Sequence, residues 1–188
     1  MTTLVKWTVE DYHRMIEAGI LSERRCELIG GKIVEMAPEG PLHRFINETV
    51  GDYLRQQLGT AALVSEAHPI TLVDSEPEPD IAIIQPPRSR YRNRHPAPQD
   101  IYWLIEVADT TLAEDTGEKL TAYAKAGIPE YWVIDVQRSQ VKVFRQPLEE
   151  QYRSETTVTA GTVSPLAFAD VAISVERLLG VRNSETQL

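Results

Sequence analysis

The chain has 188 residues, of which 42% are hydrophobic and 25% charged, so an ordinary globular protein accounts for the composition. The formal net charge of −9 argues against a broad, nonspecific nucleic-acid coat, but not against a local site whose acids a metal neutralises. The single cysteine, Cys26, excludes an internal disulfide and a cysteine-rich zinc site. No apolar run approaches the ~20 residues that span a bilayer, so we expect a cytoplasmic protein without a membrane partner.

The first part of the chain predicts two helices separated by a hairpin. Thr8 suits a helix N-cap, with Asp11 three residues later, as in a capping box. The pair Gly30-Gly31 lies between two short apolar-rich runs, as a two-residue β-hairpin turn requires. Pro41 suits the first turn of a second helix. The predicted elements are a helix over residues 8–19, hairpin strands at 25–29 and 32–36, and a helix over 41–58.

The rest of the chain predicts strands around one further helix, which gives a mixed order of α and β elements. The helical pattern ends at Gly127, and the pattern weakens after Gly161. We expect one domain over residues 1–180 and a flexible tail over 181–188. The predicted strands are 62–66, 69–73, 81–85, 101–107, 130–136, 140–145 and 166–173, and the predicted helices are 113–126 and 175–179.

Two acidic residues lie at the edges of apolar runs that predict buried strands. Asp80 precedes residues 81–84, and Glu106 follows it by 26 positions in a second run. A carboxylate at the margin of a core loses solvation and needs a cation, a donor or a proton. If the two strands are antiparallel neighbours, both carboxylates reach one end of the sheet, where they could share a Mg²⁺ ion. The alternatives are a capped turn after Pro79 for the first acid and a buried ion pair for the second.

Residues 86–100 predict a proline-rich loop with four arginines and one aspartate, a local charge of +3. A solvated connection explains this composition, but loops of such length are often functional. Arginine side chains could bind phosphates there, and Tyr91 could add stacking. The candidate nucleic-acid contacts are Arg88, Arg90, Arg92 and Arg94.

An ordered set of motifs resembles the Uma-two family of restriction endonuclease-like proteins, in the PD-(D/E)xK superfamily. The likeness covers about residues 8–180. It implies an α/β fold in which a mixed central β-sheet has flanking helices, with an N-terminal helix and β-hairpin, and a metal-dependent site at one sheet end. The motifs are Asp80 in a Pro-Asp step, Glu106 in Ile-Glu-Val, Lys119 in the next helix, His43, and the runs 27–34 (ELIGGKIV) and 127–135 (GIPEYWVID).

The resemblance also implies roles for individual residues at a Mg²⁺ site, with Mn²⁺ as a substitute. Asp80 and Glu106 would be metal ligands, and the backbone carbonyl of Val107 would be a third oxygen ligand. Glu27 could hold a metal-bound water or a second ion, although a solvated hairpin carboxylate is the alternative. His43 could bind water or phosphate, and a capping or surface histidine is the alternative.

One position departs from the superfamily pattern. Ala108 stands where the lysine of the (D/E)xK motif is expected, and alanine can neither stabilise charge nor orient water. The resemblance suggests that the lysine has moved to the next helix, which makes Lys119 the candidate and Lys125 the second choice. The alternative for Lys119 is an exposed pair with Asp115, worth roughly 0.3 to 0.5 kcal/mol.

These residues together predict a metal-dependent endonuclease that hydrolyses phosphodiester bonds, with DNA favoured over RNA. A homodimer would supply the two sites needed to cut both strands of a duplex. Ala108 favours the alternative, a non-catalytic nucleic-acid-binding or regulatory module that keeps the nuclease fold. A hydrolase that uses the carboxylate pair on a small substrate is a more distant third.

Overall fold

The computed structural model describes residues 3–180, so the predicted tail over 181–188 lies outside the described residues. The described part contains ten β-strands, most of them short. Their bounds are Cys26–Ile29 (β1), Lys32–Glu35 (β2), Leu63–Glu66 (β3), Ile81–Ile84 (β4), Ile101–Ala108 (β5), Glu130–Asp135 (β6), Gln140–Leu148 (β7), Gln151–Val158 (β8), Thr162–Val163 (β9) and Ile173–Ser174 (β10).

Five α-helices accompany the strands in the described residues. None of the helices described is both long and apolar enough to span a bilayer. The α-helices are Val9–Glu17 (α1), Pro41–Leu58 (α2), Leu112–Asp115 (α3), Glu118–Lys125 (α4) and Val175–Leu178 (α5), and short 3-10 helices cover Arg88–Tyr91, Pro98–Asp100 and Leu166–Phe168.

Strands β3 to β8 form one six-stranded sheet in sequence order. Strands β5 and β6 are parallel, and every other neighbouring pair in this sheet is antiparallel. A parallel pair needs a crossover, and α3 and α4 lie in that connection. The fold is therefore α/β with a mixed central sheet, as the sequence predicts.

Strands β4, β5 and β6 of the central sheet are buried on both faces, which explains their apolar sequences. Side chains alternate along β5, so Trp103 and Ile105 pack with α2 and α5 on one face. Leu104 and Ala108 belong to the opposite face, where they pack with Tyr123 of α4. Leu104, Glu106 and Ala108 therefore point towards α4.

The predicted N-terminal elements are confirmed. Thr8 and Asp11 form a reciprocal capping box at the start of α1. Gly30 and Gly31 have φ angles of 55° and 78°, the left-handed conformation that a tight hairpin turn between β1 and β2 needs. The second helix begins at Pro41 and ends at Leu58, also as predicted.

The strand predicted over 69–73 is wrong. Ile70 and Leu72 are buried in alternation, which imitates a strand, but Val73 is 91% exposed. The amides of this segment donate to loop carbonyls instead of to a neighbouring strand: Leu72 N donates to Ser75 O at 2.8 Å, and Thr71 N donates to Pro96 O at 2.9 Å. The segment is therefore part of an irregular loop.

The helix predicted over 113–126 is two helices, with a break at Gly117. This residue has φ −111° and ψ −105°, and a Cβ atom built there would lie 2.5 Å from the carbonyl oxygen of Ala113. Only a residue without a side chain fits this close approach to the backbone without a shift. The break gives α4 a direction independent of α3.

At the C-terminal end, the structure differs from the sequence-based expectation in two further places. Residues 166–173 do not form one strand, because Pro165 leads into a 3-10 helix, and only Ile173 and Ser174 are extended and paired, in β10. Strand β8 was not predicted. It lies at the edge of the sheet, and its polar sequence lacks the apolar pattern of a buried strand.

Candidate active site

Asp80 and Glu106 meet at one end of the sheet. Strands β4 and β5 are antiparallel, and Ile81 pairs with Ile105, so the residues on either side of that pair face each other. The amide of Asp80 donates to Oε2 of Glu106 at 3.2 Å. Both positions belong to the face that α4 covers. The structure thus brings the two predicted acids together as the antiparallel pairing requires.

Asp80 is held by a backbone amide and a histidine. Val107 N donates to Asp80 Oδ2 at 2.7 Å, and His43 Nε2 lies 3.0 Å from the same oxygen. The other ring nitrogen, Nδ1, lies 3.1 Å from Glu39 Oε1. The hydrogen bond to Asp80 is the main cause that raises the pKa of His43 to about 9, so both nitrogens carry protons near neutral pH.

The pair between Asp80 and His43 keeps the aspartate ionised. Burial opposes ionisation, but the hydrogen bond and positive charge of His43 outweigh it and hold the pKa of Asp80 below its usual value. His43 therefore contacts a site carboxylate, whereas the alternative interpretation expects only a capping or surface histidine. It links Asp80 to the start of α2.

Glu106 is the most deeply buried acid of the site, with 1% of its surface exposed. Its Oε1 accepts hydrogen bonds from Lys119 Nζ at 3.0 Å and from Tyr123 Oη at 2.8 Å. Burial raises the pKa of Glu106 well above its usual range, and the charge of Lys119 opposes this shift. The carboxylate is thus costly to keep ionised and depends on nearby cations.

Lys119 approaches two carboxylates. Burial alone would lower its pKa, but the negative charges of Glu106 and Glu27 outweigh burial and raise the pKa above its usual value. Nζ lies 3.7 Å from Glu27 Oε1, and the lysine side chain is 12% exposed. The alternative, in which Lys119 forms an exposed surface pair with Asp115, is therefore wrong.

Glu27 reaches the site from the hairpin. Its Oε2 accepts a hydrogen bond from the amide of Glu78 at 3.1 Å, and its side chain is buried. Leu28 bridges to Glu76, so the hairpin is attached to the chain that leads into β4. The alternative of a solvated hairpin carboxylate is wrong.

Asp115 is not part of an exposed pair with Lys119, and Lys125 is not the lysine of the site. Asp115 is buried and accepts a hydrogen bond from Thr111 Oγ1 at 2.6 Å. Burial raises the pKa of this aspartate to about 6. Lys125 bonds to Asp74 at 2.7 Å and is 45% exposed, so its side chain is committed elsewhere. Lys119 is the lysine that contacts the acids.

Two residues of the site were not predicted from the sequence. Tyr123 lies four residues after Lys119 in α4, and Asn47 lies four residues after His43 in α2. Residues at this spacing share a helix face, so the helical period could have identified both once their partners were known. Tyr123 bonds to Glu106, and Asn47 lines the same pocket as His43.

The four arginines of the loop lie away from these acids. The loop joins Ile84 to Ile101, at the opposite end of β4 and β5 from Asp80. Four residues of strand span about 13 Å. Arg90 and Arg94 pair with the buried carboxylate of Asp100, at 3.0 and 2.5 Å. Nucleic-acid contact by Arg88, Arg90, Arg92 and Arg94 stays a prediction.

The acids line a pocket of about 770 Å³ between the hairpin, the start of α2 and the helices α3 and α4. The described residues contain no group of three or more histidine, cysteine, aspartate or glutamate side chains arranged to hold a metal ion. The adjacent carboxylates of Asp80 and Glu106 nevertheless supply oxygens, the ligand type that a hard cation such as Mg²⁺ prefers. The carbonyl of Val107 faces the same strand edge as its amide, which bonds to Asp80.

Comparisons with known proteins show the family and the fold of the chain. Residues 9–176 match a family model described as "Putative restriction endonuclease", the Uma2 family. A solved structure from Anabaena variabilis ATCC 29413, described as "a putative nuclease belonging to DUF820", shares the fold with a TM-score of 0.67 and 21% identity, over 85% of this chain and 92% of that chain. No curated protein matches the sequence. Since the family model spans nearly all of the described residues, the chain belongs to the Uma2 family of restriction endonuclease-like proteins.

Proposed function

We propose that the chain is a Mg²⁺-dependent nuclease that hydrolyses phosphodiester bonds in DNA. The observation that carries this proposal is the 3.0 Å contact between Lys119 Nζ and Glu106 Oε1, beside Asp80. An ammonium next to two acids compensates for the missing lysine at Ala108. The family description, which refers to restriction endonucleases, supports a nuclease and favours DNA over RNA.

Asp80, Glu106 and the carbonyl of Val107 would hold the divalent cation, and Mn²⁺ would replace Mg²⁺. The bound cation would supply charge neutralisation and activation of the attacking water. The pKa shifts are consistent with such a site, because Glu106 is hard to ionise without a nearby cation. Glu27, on the far side of Lys119, would add negative charge without being a required ligand.

Lys119 would act on the phosphate itself. Its ammonium can donate three hydrogen bonds, and two carboxylates already direct it towards the pocket. A donor placed where negative charge grows on the phosphoryl oxygens stabilises the transition state. The hydroxyl of Tyr123 holds Oε1 of Glu106 and so keeps the carboxylate beside the ammonium.

His43 would orient Asp80. Its two nitrogens contact Asp80 and Glu39, so the ring is fixed from both sides. In the doubly protonated state it donates to both acids and leaves Oδ1 of Asp80 for a ligand. Loss of the ring would free the Asp80 side chain to rotate.

A non-catalytic module that keeps the fold is the second candidate. Ala108 and the lack of a three-residue metal group among the described side chains favour it. Incubation of labelled single-stranded and double-stranded DNA with Mg²⁺, Mn²⁺ or EDTA separates the two. The nuclease function is supported if EDTA, Asp80→Asn and Lys119→Met each abolish cleavage. Binding without cleavage in every metal supports the module, and cleavage by Asp80→Asn at the wild-type rate overturns the proposed site.

A further inference from the structure

Asn47 lines the pocket and carries an amide oxygen without a partner among the described residues. Its residue surface is 6% exposed, and its Oδ1 atom is buried without a hydrogen-bond partner among the described residues. A buried acceptor without a donor destabilises the structure. Asn47 lies one helical turn beyond His43 and lines the same pocket as Asp80. A molecule that enters the pocket can supply the missing donor.

One wall of this pocket is apolar. Val34 of the hairpin and Met36 and Pro38, which follow it, line the pocket together with the acids of its floor. Aliphatic side chains suit the flat, apolar faces of a nucleic-acid base. Sites that take a base out of a helix combine such faces with side chains that bond to its edge. An asparagine amide offers one donor group and one acceptor for that edge.

The charges around the pocket disfavour a long phosphate backbone. Arg25 and Lys119 are the only lysine or arginine side chains among the described residues that line it. Proteins that follow a backbone neutralise its phosphates with many cations. Besides Asp80, the exposed or half-buried acids that line the pocket are Glu35, Glu39, Glu78, Asp109, Glu114 and Glu118.

We propose that the pocket takes an unpaired nucleotide, in single-stranded DNA or at a frayed strand end, and not an intact duplex. This inference rests on the proposed function. The base lies against Val34 and Met36 with its edge on the Asn47 amide, and its phosphate lies at Lys119. A pocket of about 770 Å³ has the size of a small-molecule site, and Glu106 at its floor is 1% exposed. A base that stays paired and stacked in a duplex cannot enter it.

Binding and cleavage of matched oligonucleotides test the inference. A fluorescein-labelled single strand and a blunt hairpin duplex of the same sequence are titrated against Glu106→Gln by anisotropy, and wild-type cleavage is followed with Mg²⁺. The single strand should bind and be cut at least tenfold better than the duplex. Asn47→Ala should weaken single-strand binding by about tenfold, the value of one hydrogen bond. Glu48→Ala, at an exposed position one residue further, is the matched control.

Each outcome has a defined meaning. Equal affinity for the single strand and the duplex, or no binding of either, overturns the inference. Unchanged binding by both Asn47→Ala and Asn47→Leu also overturns it, and the second variant keeps the volume if the first does not fold. Preferred single-strand binding without any cleavage supports the inference while it refutes the proposed function. Efficient cleavage of the duplex supports the function and refutes the inference.

Discussion

Lys119 Nζ lies 3.0 Å from Glu106 Oε1, although the two residues belong to different elements and are 13 positions apart. The lysine reaches the acid because Gly117 breaks the chain between α3 and α4 and sets the direction of the second helix. A lysine two residues after the acid, on the same strand, would reach the site without such a break. In the proposed site, the helix would thus supply the lysine that the (D/E)xK motif places on the strand.

Lys119→Met should reduce the single-turnover cleavage rate by about 10²–10³, the effect of removing one donor to the developing charge. The thioether keeps most of the aliphatic stem. Lys125→Met is the control, because that lysine pairs with Asp74 at the surface. Wild-type cleavage by Lys119→Met would exclude this lysine from the chemistry.

Millimolar Mg²⁺ or Mn²⁺ should raise the melting temperature of the wild-type protein. A ligand at 100 times its dissociation constant adds about 2.7 kcal/mol to the free energy of unfolding. Asp80→Asn should abolish the increase, whereas Asp74→Asn, which changes an acid paired with Lys125, should retain it. The metal site is refuted if Asp80→Asn responds to metal as the wild type does.

Asp115→Asn should stabilise the metal-free protein at pH 7.5. Burial raises the pKa of Asp115 from 3.8 to about 6, so the native state holds a proton that the unfolded state loses, and stability falls as pH rises through that window. Removing the charge should add up to about 3 kcal/mol to the free energy of unfolding. Urea titrations in the presence of EDTA measure the free energy of unfolding of both proteins. The gain in this free energy should vanish below pH 4. Glu114→Gln, at an exposed neighbour, should show no such gain.

Gly117→Ala should lower both stability and cleavage. The new Cβ would lie 2.5 Å from the backbone oxygen of Ala113, so the chain must shift, at a cost of about 1–3 kcal/mol. The shift moves the start of α4 and with it Lys119. Gly40→Ala is the matched control, because a Cβ there meets nothing within 4 Å. Equal melting temperatures and rates for the two variants would contradict a positioning role for the break.

Arg94→Ala should destabilise the fold without reducing cleavage of a short single strand. Asp100 is fully buried, and removing Arg94 takes away its closest cation.

Arg88 and Arg92 make no ion pair with any described residue, so their replacement should leave the melting temperature unchanged. If the loop contacts nucleic acid, each of these two variants reduces the salt dependence of binding by about one unit. An unchanged slope in both would remove the loop from the interface.

The central acids were predictable because their environment is encoded locally. Apolar runs beside Asp80 and Glu106 predict two strands, and one antiparallel pairing brings the acids together. The position of Lys119 in the site could be predicted only from the family resemblance, because nothing in its own helix distinguishes it from a surface lysine. Its burial arises from the hairpin and from Glu106, which are distant in sequence.

Other features could not be predicted from local patterns. The apolar alternation of Ile70 and Leu72 comes from a loop that packs on the core, so periodicity imitates a strand. Strand β8 pairs with β7 and packs only Tyr152 and Val158 against the core, so its sequence carries little apolar signal. The role proposed for Asn47 depends on an unsatisfied oxygen atom, which a sequence does not reveal.

Glu27, His43, Asp80, Glu106 and Lys119, the charged groups of the proposed site, come from the hairpin, α2, the chain before β4, β5 and α4, which are spread over more than 90 residues of the chain. None of these segments alone carries an acid together with the lysine that neutralises it. A chain that has formed only part of the sheet therefore holds repelling carboxylates and no aligned cation. Nuclease activity would appear only with the last of these contacts, so a newly made or partly unfolded chain would be harmless to the nucleic acid around it.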